Sequence, residues 1–168
     1  MISLILVFLF CNAYSPGLWR KENNEIIYSF QDEELDRILR TLPFTLQHLR
    51  LALEINVLHP DIVYAQALIE TGSFTSRIFR EHNNLFGMHY ATKRPKLQAS
   101  YFYADYHRKK WHRVAHYNHW YDAVLDYKLY QEYYDSLGYD MSNYYSFMRK
   151  VGYSASKQYT KSLEKIVN

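Results

Sequence analysis

The sequence contains very little cysteine and glycine. Cys11 is the only cysteine among 168 residues, and it lies at the end of an apolar N-terminal run. A chain cleaved after Ala13 would keep no thiol, which excludes disulfides and thiolate metal sites from the mature protein. The five glycines form no phosphate-binding loop. No Gly-x-Ser-x-Gly segment is present to support a serine nucleophile.

The sequence also lacks a long run of positive charge. The net charge is +3 with a pI near 8.8, and the strongest basic cluster is Arg108-Lys109-Lys110. This cluster is too short to indicate a nucleic-acid partner. A mildly basic surface suits an anionic polymer such as a bacterial cell wall, and equally suits plain solubility.

The histidines do not form a metal-binding pattern. His107, His112, His116 and His119 fall in a segment that reads mainly as strand and turn, and no His-Glu-x-x-His motif is present. Catalytic zinc needs three converging ligands and an open position. We therefore predict no metal and no other cofactor, with the histidines at the surface or in a groove.

Aromatic residues are abundant. They make up 18% of the chain and include 18 tyrosines. A tyrosine combines a flat apolar face with a polar tip, which suits a wet groove that binds sugar rings, although most tyrosines are expected to fill the core and its rim. With 48% hydrophobic residues, the chain can bury one core of ordinary size.

The N-terminal segment is typical of a secretory signal. Residues 1–10 are apolar except for Ser3, and Cys11-Asn12-Ala13 offers a small-x-small cleavage site. We predict a signal peptide over 1–13, a linker over 14–30 and a catalytic domain over 31–168. The protein would then be periplasmic or extracellular, without stable membrane insertion. A lipid anchor on Cys11 is the alternative, which the bulky Phe10 disfavours.

Hydrophobic periodicity predicts an α+β fold. A small β-hairpin is expected where residues 101–103 and 113–117 flank a charged turn. Thr45 is placed to cap one helix, and Pro60 to open another. The predicted helices cover residues 31–40, 46–56, 60–70, 120–134, 142–151 and 156–167, with a short helix or turn at 76–81.

Glu70 is the strongest catalytic candidate. It closes the apolar run 62–69 and precedes a break at Gly72. Burial disfavours the charged form of a carboxyl group and raises its pKa, and a carboxylic acid that stays protonated can donate a proton to a glycosidic oxygen. The alternative is a helix-terminal glutamate that reaches solvent.

Four segments resemble, in order, the signatures of the bacterial glucosaminidase family, which comprises lysozyme-like peptidoglycan hydrolases. The first surrounds Glu70, within Ala65-Gln66-Ala67-Leu68-Ile69-Glu70-Thr71-Gly72. The others are Asn83-Asn84-Leu85-Phe86-Gly87, then Tyr117-Asn118-His119-Trp120, and finally Gly152-Tyr153-Ser154 followed by Tyr159 and Leu163. The resemblance implies a mostly helical lysozyme-like lobe and a small β-hairpin lobe with a groove between them.

The resemblance also implies roles for individual residues. It makes Glu70 the general acid and gives Tyr153 a function, whereas the pattern alone would make Tyr153 an ordinary aromatic past a helix end. Substrate-binding roles follow for Asn83, Asn84, Phe86, Tyr117 and Trp120. The Asn-Asn-x-Phe-Gly segment also reads as a tight turn in its own right, because Asn and Gly tolerate left-handed backbone.

The second catalytic group is where this chain departs from the family pattern. Many members carry a glutamate in the β lobe, and the nearest match here is Asp105, whose side chain is one methylene shorter. Otherwise Asp105 is a hairpin-turn residue. The substrate's own acetamido group, or Tyr153 positioning a water, would then take the second role.

The resemblance predicts a peptidoglycan hydrolase that cleaves the β-1,4 bond after N-acetylglucosamine. We expect a monomer whose partner is the glycan strand. One alternative is a cell-wall-binding or assembly module that has lost the chemistry. Another is a phage lysis or tail protein with the same activity.

Overall fold

The computed structural model describes residues 30–105, 111–154, 156 and 158–168. The side chains of residues 30–33, 104, 105 and 111 are not described. The predicted signal peptide, nearly all of the predicted linker and the basic cluster at 108–110 lie outside the described part. Residues Leu39–Asn168 form one compact unit, and the core, hairpin and pocket described below belong to it.

The described chain is mostly helical, with one antiparallel hairpin in its middle, which confirms the predicted α+β class. In chain order the elements are α1 (Phe30–Leu39), α2 (Leu46–Asn56), α3 (Pro60–Glu70), α4 (Arg77–His82), β1 (Ser100–Asp105), β2 (Trp111–His116), α5 (Trp120–Ser136), α6 (Tyr144–Val151) and α7 (Tyr159–Val167). Within the described residues, no helix combines the length and hydropathy needed to cross a membrane.

The end of α3 is a sharp reversal that leaves Glu70 at the helix terminus. The Thr71 hydroxyl donates to the Ala67 carbonyl at 2.6 Å and accepts from the Phe74 N–H at 2.8 Å. Gly72 has a φ of +55°, in the left-handed region that favours glycine. The chain therefore turns away immediately after Glu70, and the predicted helix end is confirmed.

The core contains many tyrosines whose hydroxyls are satisfied internally. The Tyr127 hydroxyl donates to Gln66 Oε1 at 2.7 Å and lies 2.7 Å from the Tyr144 hydroxyl, to which Gln131 Nε2 donates at 2.8 Å. Because buried polar groups need hydrogen-bond partners, this network allows the tyrosines to pack among apolar side chains. The fully buried side chains include Leu49, Leu53, Leu85, Phe86, Tyr117, Tyr121, Phe147 and Leu163.

The hairpin is extended on one edge by the chain that follows Gly87. β1 and β2 are antiparallel, with Tyr103 opposite Arg113. On the other edge of β2, His89 forms a bridge with Val114, and the Tyr90 N–H donates to the Arg113 carbonyl at 2.8 Å. Three short extended segments therefore lie side by side, and the 88–90 segment leads from the pocket onto the hairpin.

The loop between Tyr90 and β1 is fixed to α5 by one buried carboxylate. The Asp126 carboxylate accepts hydrogen bonds from Nη1 and Nη2 of Arg94, at 3.1 and 2.7 Å. It also accepts hydrogen bonds from the Leu97 N–H, Gln98 Nε2 and the Tyr117 hydroxyl. Asp126 is fully buried, and these hydrogen bonds together with the Arg94 charge offset the cost of removing its carboxylate from water.

Candidate active site

An open pocket of about 420 Å³ lies at the C-terminal end of α3. Its wall is formed by Glu70, by the chain from Phe86 to Arg94, by tyrosines of α5 and by the residues at the end of α6. The α5 and α6 contributors are Tyr130, Tyr133, Tyr134, Val151, Gly152 and Tyr153. The pocket is thus rich in tyrosine, and Glu70 is the only carboxylate among the described residues that line it.

Glu70 is half-buried, and one of its oxygens has a defined partner. The Tyr159 hydroxyl donates to Glu70 Oε1 at 2.7 Å. Burial raises the pKa of Glu70 above its ordinary value, and the Tyr159 hydrogen bond acts in the opposite direction with a smaller effect. The arrangement therefore favours a carboxylic acid that keeps its proton to higher pH than an exposed glutamate does.

The Asn-Asn-x-Phe-Gly turn brings backbone directly against Glu70. Gly87 has a φ of +61°, and a Cβ atom there would lie 2.6 Å from Glu70 Oε2. Asn84 is buried and holds the turn: its Nδ2 donates to the Met88 and Ala115 carbonyls, and its Oδ1 accepts from the Met88 N–H, each at 2.9 Å. Glycine therefore suits position 87 twice over: it adopts the left-handed backbone without strain, and a larger residue would force the Glu70 carboxyl group to move.

Asn83 ends α4 with a φ of +52°, and its Nδ2 donates to the Tyr117 carbonyl at 3.0 Å. Asparagine adopts this left-handed conformation more readily than most residues. Both asparagines thus shape the turn beneath the pocket, although neither lines it.

Tyr153 lines the pocket, and its hydroxyl is already engaged. It donates to the Phe86 carbonyl at 2.8 Å. Burial raises the pKa of Tyr153 well above its ordinary value, so the hydroxyl stays protonated as a donor. Tyr153 therefore ties the chain after α6 to the turn that approaches Glu70.

Tyr159 is the site residue that the sequence analysis did not assign. It belongs to α7 and packs near Tyr153, with 5.8 Å between ring centroids. Burial and the neighbouring Glu70 carboxyl raise the pKa of Tyr159. The sequence signal that could have pointed to Tyr159 is its place in the closing signature, after Gly152-Tyr153-Ser154. Nothing in that pattern identifies Glu70 as its hydrogen-bond partner.

The other predicted site residues fall into two groups. Phe86 lines the pocket beside Glu70 and Tyr153. Tyr117 and Trp120 are 0% and 3% exposed, and their polar atoms donate to Asp126 Oδ2 at 2.8 Å and to the Leu42 carbonyl at 2.9 Å. These last two are enclosed in the interior of the domain, and neither lines the pocket.

Asp105 ends β1, where its backbone pairs with Trp111. Its side chain lies outside the described part of the chain, so its catalytic role stays a prediction.

The histidines of this region occur in pairs. Nδ1 of His82 lies 3.2 Å from Nδ1 of His116, and the rings of His89 and His112 stack at 5.1 Å. Burial and the adjacent His116 lower the pKa of His82, which favours the neutral form of His82. Among the described residues, no group of three or more His, Cys, Asp or Glu is placed to hold a metal ion.

A half-buried glutamate on the wall of an open pocket is the kind of proton donor that glycoside hydrolases use. The chain belongs to the glucosaminidase family, since the family model described as mannosyl-glycoprotein endo-beta-N-acetylglucosaminidase matches residues 47–168. A solved structure that is similar to this chain is the catalytic domain of the autolysin Auto from Listeria monocytogenes. It is 17% identical with a TM-score of 0.44, and the alignment covers 85% of this chain and 95% of that domain. Comparison with curated proteins gives no match.

Proposed function

We propose that this protein is an exported peptidoglycan hydrolase that cleaves the β-1,4 bond after N-acetylglucosamine. The supporting observation is Glu70, a half-buried carboxyl group with a raised pKa on the wall of an open pocket in a glucosaminidase-family chain. The tyrosine-rich wall suits sugar rings, and the net charge of +3 suits an anionic wall polymer. Export rests on the apolar N-terminal run.

The two oxygens of Glu70 have different surroundings, which suggests where the catalytic proton sits. Oε1 accepts the Tyr159 hydrogen bond, whereas Oε2 lies beside Gly87 and accepts none from a described residue. In the proposed reaction, the proton on Oε2 passes to the glycosidic oxygen while the bond from that oxygen to the sugar C1 breaks. The Tyr159 hydrogen bond orients the carboxyl group for this transfer.

We propose that the substrate's acetamido group supplies the second catalytic role. Its carbonyl oxygen forms a bond to C1 as the leaving group departs. Water then adds to C1, giving its proton to the Glu70 carboxylate and restoring the acetamide. This route is favoured over Asp105, because an aspartate in place of glutamate moves a carboxylate further than a preorganised site tolerates.

The experiment is the digestion of purified, protein-free peptidoglycan sacculi, followed by mass spectrometry of the reducing-end sugar. N-acetylglucosamine at the new reducing end is expected, and N-acetylmuramic acid there would instead indicate a muramidase. Glu70→Gln is the control, and it should lower the rate by about a hundredfold to ten-thousandfold. A protein that binds sacculi but releases no fragments would be a wall-binding module.

The second role is tested by the anomeric configuration of the first product, measured by NMR. Retention is expected from acetamido assistance, and inversion would require a carboxylate that activates water directly. Asp105→Asn should then keep most of the rate. A collapse of turnover in Asp105→Asn would assign the role to Asp105.

A further inference from the structure

The exposed face of the hairpin carries a row of tyrosines that continues the pocket. Tyr101 and Tyr103 are two residues apart on β1, so their side chains share one face of the sheet. They are 40% and 58% exposed. Tyr90 joins the row from the neighbouring extended segment. Ring centroids lie 4.8 Å apart between Tyr90 and Tyr101, and 5.5 Å apart between Tyr101 and Tyr103. These three residues are called the tyrosine strip below.

The strip is continuous with the pocket through Tyr90. Tyr90 lines the pocket together with Gly87 and Met88, and it also packs against Tyr101. The aromatic surface of the strip therefore begins in the pocket and extends beyond it. Isolated exposed tyrosines need no explanation, but a contiguous row that begins inside a binding pocket does.

Two cations accompany the strip. Lys96 Nζ lies 3.8 Å from the centroid of the Tyr90 ring, and Arg113 Cζ lies 5.5 Å from that of Tyr101. Within the described residues, neither cation forms an ion pair with a carboxylate. Arg113 stands opposite Tyr103 in the strand register and is exposed. The face is thus aromatic and positively charged.

We propose that the tyrosine strip, with Lys96 and Arg113, binds a further stretch of an anionic glycan strand beyond the pocket. The proposal rests on the proposed function and extends it from one bond to the polymer around it. The apolar C–H faces of sugar rings can stack on the tyrosine rings, and the tyrosine hydroxyls can form hydrogen bonds with sugar hydroxyls. The carboxylates of peptide stems attached to the strand can pair with the two cations.

This surface would act on the capture of long strands rather than on bond cleavage, because Tyr101 and Tyr103 lie outside the pocket that contains Glu70. Its removal should therefore impair activity on intact sacculi more than activity on short soluble glycan fragments. An anionic membrane surface is the other occupant that this chemistry could accept, and the experiment separates the two.

The test uses the full chain carrying Glu70→Gln, so that the wall is not digested during the measurement. Cosedimentation with purified sacculi is compared for this protein and for the same protein with Tyr101→Ala and Tyr103→Ala. Binding should weaken by at least about fivefold when two stacking contacts are lost. Leu137→Ala is the matched control, since Leu137 is 55% exposed and lies outside both pocket and strip.

Arg113→Gln provides a second, milder variant that keeps the tyrosine rings. It should weaken binding and also reduce its dependence on salt, because only a charge has been removed. Melting temperatures establish that each variant is folded, and Tyr103→Ala alone replaces the double variant if that one melts early.

Unchanged sedimentation of the folded tyrosine variants would overturn the proposal. So would binding of the parent to vesicles of anionic phospholipid that is lost in these variants while wall binding is kept. Failure of the proposed function is distinguishable from failure of this proposal. It would show as an unsubstituted protein, with Glu70 in place, that releases no reducing ends from sacculi.

Discussion

A side chain at Gly87 would collide with the Glu70 carboxyl group, since its Cβ would lie 2.6 Å from Oε2. The backbone of the turn at Gly87 therefore packs directly against the carboxyl group of the proposed acid. The same glycine has a φ of +61°, which costs an L-residue about 1–2 kcal/mol. Position 87 thus combines a backbone requirement with a steric one, and comparison with a second left-handed glycine can separate the two effects.

Gly87→Ala should lower activity far more than backbone strain alone explains. Displacement of Glu70 by the new methyl group should reduce turnover by on the order of a hundredfold. The control is Gly138→Ala, because Gly138 has a φ of +82° and nothing within 4 Å of its Cβ position. Both variants should lose thermal stability through backbone strain, and only Gly87→Ala should lose activity. Equal activities would contradict the close approach.

Glu70→Gln should raise the melting temperature at neutral pH while removing activity. The folded-state pKa of Glu70 is raised by burial above the ordinary 4.5, so the folded protein binds this proton more tightly than the unfolded chain. The stability that the folded protein gains from binding this proton more tightly is fully present below pH 4.5. It is lost as the pH rises through the folded-state pKa of Glu70. The stabilisation by Gln should therefore grow from acid to neutral pH, as measured by thermal unfolding at several pH values. A gain that shrinks with rising pH would refute the raised pKa.

Tyr159→Phe should move the basic limb of the pH–rate profile to higher pH. The Tyr159 hydrogen bond lowers the pKa of Glu70, so its loss raises that pKa further and keeps the acid protonated over a wider range. The ring remains to pack, which isolates the effect of the hydroxyl.

Tyr145→Phe, on α6 and outside the pocket lining, is the matched substitution and should leave the limb in place. A limb that moves to lower pH in Tyr159→Phe, or does not move, would exclude Tyr159 as a positioning residue for Glu70.

Asp126→Asn should destabilise the protein by about 3–5 kcal/mol, because it leaves the guanidinium of Arg94 buried without its counter-charge. The side chains of this pair are only 7% and 0% exposed. Denaturant unfolding provides the measurement. Arg77→Ala, which breaks an ion pair whose side chains are 78% and 52% exposed, should leave the midpoint nearly unchanged. Comparable losses in both variants would show that the Asp126 network is not the anchor of the loop.

The fold was largely predictable because its elements carry local signals. Thr45 caps α2 by accepting from the His48 N–H at 3.0 Å, and Pro60 opens α3, so both helices start as the sequence indicates. The start of α7 was less predictable. Ser154 Oγ accepts from the Ser156 N–H, and Ser156 Oγ from the Gln158 N–H, which delays the helix until Tyr159.

The site was predictable only in part, because its members are joined by tertiary contacts. Glu70 could be found from its place at the end of an apolar helix. The partnership with Tyr159 has no local signal, since the two residues are 89 positions apart. The signature predicts that Tyr117 lies in the groove, but its buried hydroxyl donates to Asp126. The role of Asp126 as a buried acceptor becomes visible only in the folded structure, where the loop from 91 to 99 also donates to it.

The separation between Glu70 and Tyr159 also has a consequence for biosynthesis. A ribosome releases Glu70 and the whole hairpin well before it releases α7, so the nascent chain holds the acid without its hydrogen-bond donor. The carboxyl group acquires its final orientation only when the last described helix docks. The proposed site is therefore complete only after α7 has docked, and a chain that stops before α7 lacks the Tyr159 donor.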